Sequence, residues 1–103
     1  MNKIYSMIGL AYRAGRIAAG EDAVRKSIRK GKVRLLIISE DASENTQKRF
    51  GNAAEYYNID VVIWGTKEEL GMSIGKSERS VIGITDDSFC KSLKGMMAAE
   101  QKK

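Results

Sequence analysis

Basic side chains recur at helical spacing in the first third of the chain. Arg25 and Arg29 are four residues apart, and so are Lys26 and Lys30. Because residues four apart lie on one side of an α-helix, these cations form two adjacent rows. Guanidinium and ammonium groups in such rows suit the binding of phosphate groups. A solvated basic helix face is the other interpretation of the same spacing.

A second polar segment, from Gly71 to Ser77, is similar in its ending to a phosphate-binding P-loop. Only three residues separate Gly71 from Gly75, whereas the P-loop requires four. The segment also leaves a predicted helix and enters a predicted strand, which is the reverse of the P-loop order. Nucleotide hydrolysis is therefore not predicted. As a loop, the segment still presents Lys76 and Arg79 beside the hydroxyl of Ser77.

Catalytic chemistry finds little support in the residue types. The chain has no histidine, which removes the usual serine and cysteine triads and most zinc sites. Cys90 falls on a predicted apolar helix face and is expected to be a buried structural thiol. Three pairs of adjacent acids fall at predicted helix starts, where capping explains them better than acid/base or metal chemistry. These pairs are Glu40 with Asp41, Glu68 with Glu69, and Asp86 with Asp87. We predict no enzyme activity, no catalytic residue, no cofactor and no metal site.

Apolar periodicity predicts the elements that must position these side chains. Helices are expected to end at Gly15, Gly31, Asn58 and Gly75, and a fifth begins near residues 86–88 and frays from residue 100. Apolar runs predict strands at residues 35–38, 59–64 and 80–85, with a short extended segment at residues 16–19.

Some details of these elements are specific enough to test. The strands at residues 35–38 and 59–64 are expected to be buried. Asp41 and Ser43 are expected to cap the helix whose apolar face includes Tyr57. Asn2 is expected to cap the first helix, and Thr66 with Glu69 has the spacing of a capping box at the start of the fourth.

Helices that alternate with short strands predict an α/β fold. We expect a three-layer α/β/α sandwich with a small mixed central sheet of about four strands, formed as one domain by residues 1–103. The chain has one cysteine, no charged-then-apolar export segment at its start and no apolar run of the roughly 20 residues that cross a bilayer. A cytoplasmic location is therefore expected.

Charge is distributed unevenly along the chain, whose net charge is +5. Residues 1–39 hold nine Lys and Arg against two acids, whereas residues 40–90 hold ten acids and five bases. A protein that docks one face on phosphates would show this asymmetry, because the release of counterions increases with the number of phosphates neutralised.

Two motifs carry a resemblance to a known family. Residues 16–31 (RIAAGEDAVRKSIRKG), followed by residues 34–42 (RLLIISEDA), resemble the core of the L-seven-Ae ribosomal protein family, whose members bind kink-turn RNA. Residues 70–76 (LGMSIGK) resemble its second landmark. The resemblance covers nearly the whole chain in the same order, and the form of residues 20–22 is most similar to the bacterial YlxQ-like branch.

The resemblance implies a sandwich in which the start of the second helix and the loop before the last strand clamp a sharply bent RNA. In the family pattern, a glycine is followed by an asparagine, a glutamate and a lysine that read sheared G·A pairs. Gly20 and Lys26 match this pattern, but Asp22 stands at the asparagine position and Ala23 at the glutamate position. The RNA-binding residues implied in this chain are Gly20, Glu21, Asp22, Arg25, Lys26, Lys30, Lys76, Ser77 and Arg79.

The predicted function is therefore non-catalytic binding of structured RNA, either kink-turn or ribosomal RNA, with the ribosome as a further partner and with neither DNA nor a membrane. The alternative is a ribosome-associated adaptor that binds proteins through the same fold without specific RNA readout. Asp22 and Ala23 support that alternative. A third interpretation is an accessory domain that presents RNA to a modifying enzyme.

Overall fold

The computed structural model describes residues 2–101, in which helices and strands alternate as predicted. The helices are α1 (Lys3–Arg13), α2 (Glu21–Arg29), α3 (Glu44–Tyr56), α4 (Lys67–Ser73) and α5 (Asp87–Gln101). The strands are β1 (Ile17–Ala19), β2 (Leu35–Ile38), β3 (Asp60–Ile63) and β4 (Val81–Ile84). Within these residues, no helix has the length and apolarity needed to cross a membrane.

The four strands form one mixed sheet in the order β1-β4-β2-β3. β2 and β3 are parallel, whereas β4 runs antiparallel to both β1 and β2. Ala19, at the end of β1, pairs with Ile82, near the start of β4. The segment that enters β4 therefore lies beside the segment that leaves β1 for α2, although some 60 residues separate them in sequence.

Helices cover both faces of the sheet and form the predicted three-layer sandwich. Leu35 and Ile37 of β2 pack into a core with α1, α4 and α5, while Leu36 and Ile38 pack into a second core with α2 and α3. All four residues are buried, as expected for β2. Side chains alternate along a strand, so the continuous apolar run supplies both cores at once.

Local signals position the ends of several helices as predicted. The side chain of Asn2 accepts a hydrogen bond from the amide of Ile4 at 2.6 Å. The Thr66 hydroxyl accepts one from the amide of Glu69 at 3.2 Å, which confirms half of the capping box. Asn58 follows α3 with a φ of 56°, a conformation that asparagine tolerates better than most residues.

The capping role predicted for Asp41 was wrong. Ser43 alone caps α3 through its side chain, whereas Asp41 accepts a hydrogen bond from the amide of Lys67, the first residue of α4, at 2.9 Å. Glu40 accepts from the amide of Gly65 at 3.2 Å. Because β2 and β3 are parallel neighbours, acids that follow β2 lie beside the turn that follows β3. The Lys67 amide holds the pKa of Asp41 below its ordinary value.

The burial expected of the strand at residues 59–64 was also wrong in part. β3 lies at the edge of the sheet, and Val61 and Ile63 are 41% and 46% exposed. Tyr57, expected on the apolar face of α3, is 43% exposed. Glu100, expected to fray, lies within α5 and accepts a hydrogen bond from the Trp64 indole at 2.9 Å. The fraying expected of residues 102–103 lies outside the described residues.

Candidate functional site

Gly20 joins β1 to α2 and is the N-cap residue of that helix. Its φ of 91° and ψ of 159° suit a residue without a Cβ atom. Its amide donates to the carbonyl of Val81 at 3.0 Å, which holds the start of α2 against β4. Its carbonyl accepts the first hydrogen bond of the helix, from Val24. The amides of residues 21–23 precede that bond, so they have no acceptor within the helix and can bind an anion.

The loop at residues 74–80, between α4 and β4, reaches the same place. A Cβ atom on Gly20 would lie 3.6 Å from Cδ of Arg79, so the arginine side chain passes directly over the glycine. The Arg79 guanidinium donates to the carbonyl of Glu78 at 2.9 Å and to the carbonyl of Ser77 at 3.1 Å. These hydrogen bonds to its own loop hold the long side chain of Arg79 in this position.

Between these two segments lies an open, mostly polar cleft of about 430 Å³. Its lining comes from the end of β1, the first turn of α2 and the segment that enters β4. The lining residues are Ala19, Gly20, Glu21, Asp22, Ala23, Glu78, Arg79 and Ser80. The antiparallel pairing of β1 with β4 brings together the two segments that the family resemblance expects to act as a pair.

The two acids of the first turn have different surroundings. Glu21 forms an ion pair with Arg49 of α3 at 2.5 Å and accepts a hydrogen bond from the Thr46 hydroxyl at 3.3 Å. The side chain of Asp22 is fully exposed, and its nearest cation is Arg25 at 4.0 Å. Glu21 therefore connects α2 to α3, while the carboxylate of Asp22 remains accessible as a hydrogen-bond acceptor.

The predicted cations are spread over a wider surface than the cleft. Lys26 and Lys30 are exposed on α2, and Lys30 lies roughly 15 Å along the helix axis from Gly20, at about 1.5 Å per residue. Lys76 and Ser77 share the loop of Arg79 and are exposed, but they do not line the cleft. The structure thus gathers four of the nine predicted residues in the cleft, namely Gly20, Glu21, Asp22 and Arg79.

Sequence analysis missed the residue that holds the loop in place. A Cβ atom on Gly71 would lie 2.0 Å from the carbonyl oxygen of Ser77, so the loop packs directly on the α4 backbone. The carbonyl of Gly71 also accepts a hydrogen bond from the amide of Lys76 at 2.9 Å. Gly71 was noted as part of a motif similar to a P-loop and of the second family landmark, without a structural role of its own. The spacing of Gly71 and Gly75 in the sequence did not indicate that α4 and this loop would be in contact.

A second groove, between α2 and α3, was also missed. It has a volume of about 380 Å³ and is lined by Arg25, Ile28, Arg29, Arg49, Phe50, Ala53 and Tyr57. Arg29 belongs to the basic rows of α2, which was a usable signal. Arg49 lies in the acidic middle of the sequence, and only the packing of α3 beside α2 brings it to the basic surface.

Cys90 lies in the opposite layer, on α5. It is half-buried rather than fully buried, and its Sγ donates to the carbonyl of Arg34 at 3.6 Å. Burial raises the pKa of its thiol, which disfavours the reactive thiolate. Among residues 2–101, no group of three or more histidine, cysteine, aspartate or glutamate side chains is arranged to hold a metal ion.

Comparison with known proteins assigns the class to which this fold and cleft belong. The model of the ribosomal protein L7Ae/L30e/S12e/Gadd45 family matches residues 2–94. The chain belongs to this family.

More specific similarity is to bacterial proteins named YlxQ. The RNA-binding protein YlxQ of Bacillus subtilis (strain 168) is 38% identical over 89 residues, which cover 86% of this chain and 89% of that protein. The RNA-binding protein YlxQ of Enterococcus faecium is 36% identical over 95 residues, with coverage of 92% and 91%. A solved structure of a protein of unknown function from Bacillus halodurans C has a TM-score of 0.90 at 38% identity, covering 95% of this chain and 99% of that one.

Proposed function

We propose that this protein is a non-catalytic RNA-binding protein that recognises kink-turn RNA or a similarly bent structured RNA. The observation that carries the proposal is the cleft in which the start of α2, at Gly20, meets Arg79 of the loop before β4. Membership of the L7Ae family and similarity to proteins named for RNA binding support it. In this proposal the ligand is kink-turn or ribosomal RNA, the ribosome is a further partner, and the protein acts in the cytoplasm.

In this proposal the cleft binds the RNA backbone at its sharpest bend. The free amides of residues 21–23 and the positive end of α2 bind a phosphate group. The side chain of Arg79 lies over Gly20, so its positive charge is close to the same phosphates. Arg25, Lys26, Lys30 and Lys76 attract the flanking phosphates without reading sequence.

Base recognition in this proposal depends on Asp22. Its exposed carboxylate accepts hydrogen bonds from guanine N–H groups, whereas an asparagine in the family pattern would both donate and accept. Glu21 is already bound to Arg49 and Thr46, which leaves Asp22 as the accessible acid of this turn. Ala23 is exposed and has no polar side chain, so its position contributes through its backbone amide alone.

The second candidate function is the ribosome-associated adaptor that binds proteins. The edge strand β3 favours it, because Val61 and Ile63 expose apolar side chains next to unpaired backbone groups. Affinity that falls steeply with added salt is expected of RNA binding, whereas an apolar protein interface responds weakly.

The test compares a kink-turn RNA with a straight duplex of equal length, by fluorescence anisotropy at two salt concentrations. The proposal expects tighter binding of the kink-turn. Lys26→Ala should weaken kink-turn binding and reduce the slope of log affinity against log salt by about 1. The matched control is Lys91→Ala, an exposed cation of α5 on the opposite layer, which should change neither quantity.

Asp22→Ala separates specific recognition from general charge attraction. Loss of a negative charge raises affinity for any polyanion, so the variant should bind the straight duplex slightly more tightly. Loss of a guanine contact should nevertheless weaken kink-turn binding by roughly 5- to 150-fold, the equivalent of about 1–3 kcal/mol. Equal, weak and salt-sensitive binding of both RNAs by the unaltered protein would contradict kink-turn recognition.

A further inference from the structure

The groove between α2 and α3 combines cations with an apolar floor. Arg25 and Arg29 line it from α2, and Arg49 lines it from α3. Ile28 and Phe50 are buried beneath it. Its volume of about 380 Å³ lies within the range of roughly 300–1,000 Å³ that is usual for small-molecule sites.

The charges of the groove are available to an anion. No acid lines the groove. Arg29 forms no ion pair with any residue in the described range 2–101, and the ion pair of Arg25 with the fully exposed Asp22 is long, at 4.0 Å. An exposed pair of that length holds its arginine weakly. The guanidinium of Arg49 is held by Glu21 and lies 5.8 Å from the ring centroid of Phe50.

The groove also offers an aromatic surface. Tyr57 lies at the end of α3, lines the groove and is 43% exposed. Its ring contacts that of Tyr56 edge to face, with centroids 5.0 Å apart. Unstacked nucleobases bind proteins by stacking on such rings and on arginine guanidinium planes, while the adjoining phosphates bind cations.

The groove is continuous with the surface assigned above to RNA. Asp22, Ala23 and Lys26, together with Arg25 and Arg29, line a shallow depression along the outer side of α2. Arg25 and Arg29 therefore belong to both surfaces. An RNA strand that runs from the first turn of α2 along this row of cations would reach the groove.

We propose that the groove between α2 and α3 binds one unstacked, single-stranded nucleotide of the RNA. The base packs on Tyr57 and over the apolar floor formed by Ile28 and Phe50. The adjoining phosphates bind Arg25 and Arg29. This inference rests on the proposed function, because the nucleotide belongs to an RNA bound at the first turn of α2. Nucleotide binding by the groove can nevertheless be tested without a kink-turn RNA.

The probe is a fluorescein-labelled ten-nucleotide oligouridylate, whose bases are largely unstacked, measured by anisotropy. Arg25→Ala with Arg29→Ala should weaken binding and lower the salt slope by about 1.4, which is roughly 0.7 for each phosphate contact to a single strand. The matched control combines Lys3→Ala with Lys91→Ala, which removes the same charge from exposed positions of the opposite layer. An equal loss in both double variants would overturn the proposal, because it would indicate diffuse charge attraction.

Two neighbouring tyrosines supply the second comparison. Tyr57→Leu removes the ring that lines the groove, and binding of the oligouridylate should weaken by roughly 5- to 150-fold. Tyr56 is 81% exposed and lies outside the groove, so Tyr56→Leu should leave binding unchanged. Circular dichroism of each variant confirms that it is folded. Unchanged binding by folded Tyr57→Leu would overturn the stacking proposal.

The result is separable from the test of kink-turn recognition. If the unaltered protein does not prefer the kink-turn but oligouridylate binding depends on Arg25, Arg29 and Tyr57, the groove proposal stands and the proposed function fails. A labelled peptide of glutamate and phenylalanine tests the other occupant. If that peptide binds with the same dependence and the oligouridylate does not bind, the groove is a protein site and the nucleotide proposal is overturned.

Discussion

The two layers of helices differ in how much of their surface is committed to the core. The layer of α1, α4 and α5 buries large side chains, including Trp64 and Leu93. Glu100 of α5 accepts hydrogen bonds from Trp64, which follows β3, and from Asn2, which caps α1. In the layer of α2 and α3, α2 buries only Val24 and Ile28. A narrow apolar stripe leaves most of the α2 surface to polar side chains, and there the arginines and lysines are exposed.

The comparison indicates that stability and the candidate site are largely separated by the sheet. The exception is the loop at residues 74–80, which begins at α4 in the first layer and ends over Gly20 in the second. Variants on either side of the sheet, and at this loop, should therefore affect unfolding and RNA binding in different proportions.

The largest effect on stability is expected for Leu93→Ala in the first layer. Leu93 is fully buried, so its truncation should lower the free energy of unfolding by about 2–5 kcal/mol through lost apolar contacts and a residual cavity. Urea denaturation measures the loss. RNA affinity of the folded variant should be unchanged, and a parallel loss of affinity would show that the layers are not independent. Leu10→Ala on the exposed side of α1 is the control, with a change within about 0.5 kcal/mol.

Gly71→Ala should affect both properties at once. Its Cβ atom would lie 2.0 Å from the Ser77 carbonyl, so the loop must move, at a cost of about 1–3 kcal/mol. Arg79 would move with the loop, and kink-turn affinity should fall. Gly95→Ala is the matched control because, apart from neighbouring residues and the backbone of its own helix, no atom lies within 4 Å of the added Cβ. Helix propensity should then raise stability by roughly 0.5–1 kcal/mol. Loss of stability without loss of kink-turn affinity would argue against a contact between Arg79 and the RNA.

The smallest effect is expected from the contact of Asp41 with α4. The Lys67 amide lowers the pKa of Asp41 in the folded state. The stabilisation is therefore complete above the unfolded pKa and is lost as pH falls through the folded pKa. Asp41→Asn should be slightly less stable than the unaltered protein at neutral pH, and the two denaturation curves should converge in acid. A difference that stays constant into acid would exclude this linkage.

Much of the fold was predictable because its signals are local. The cap of α1 by Asn2, the end of α2 at Gly31 and the double burial of β2 each depend on residues close in sequence. The edge position of β3 was not predictable in this way, since the apolar run at residues 61–64 is compatible with a central or an edge strand. The candidate site followed the same division. The rows of cations on α2 could be predicted from the sequence, but the positions of Arg49 beside α2 and of Gly71 against the Ser77 carbonyl could not.

By itself the sequence determined where the chain forms helices and strands, which helix presents the basic rows, and that Gly20 opens that helix. These properties depend on backbone preferences, capping and periodicity over a few residues. Only the tertiary structure decided that Arg79 lies over Gly20, that Glu21 is occupied by Arg49, and that α2 and α3 enclose a groove. The reason is strand order, because pairing β1 with β4 and packing α3 beside α2 join residues that are distant in sequence.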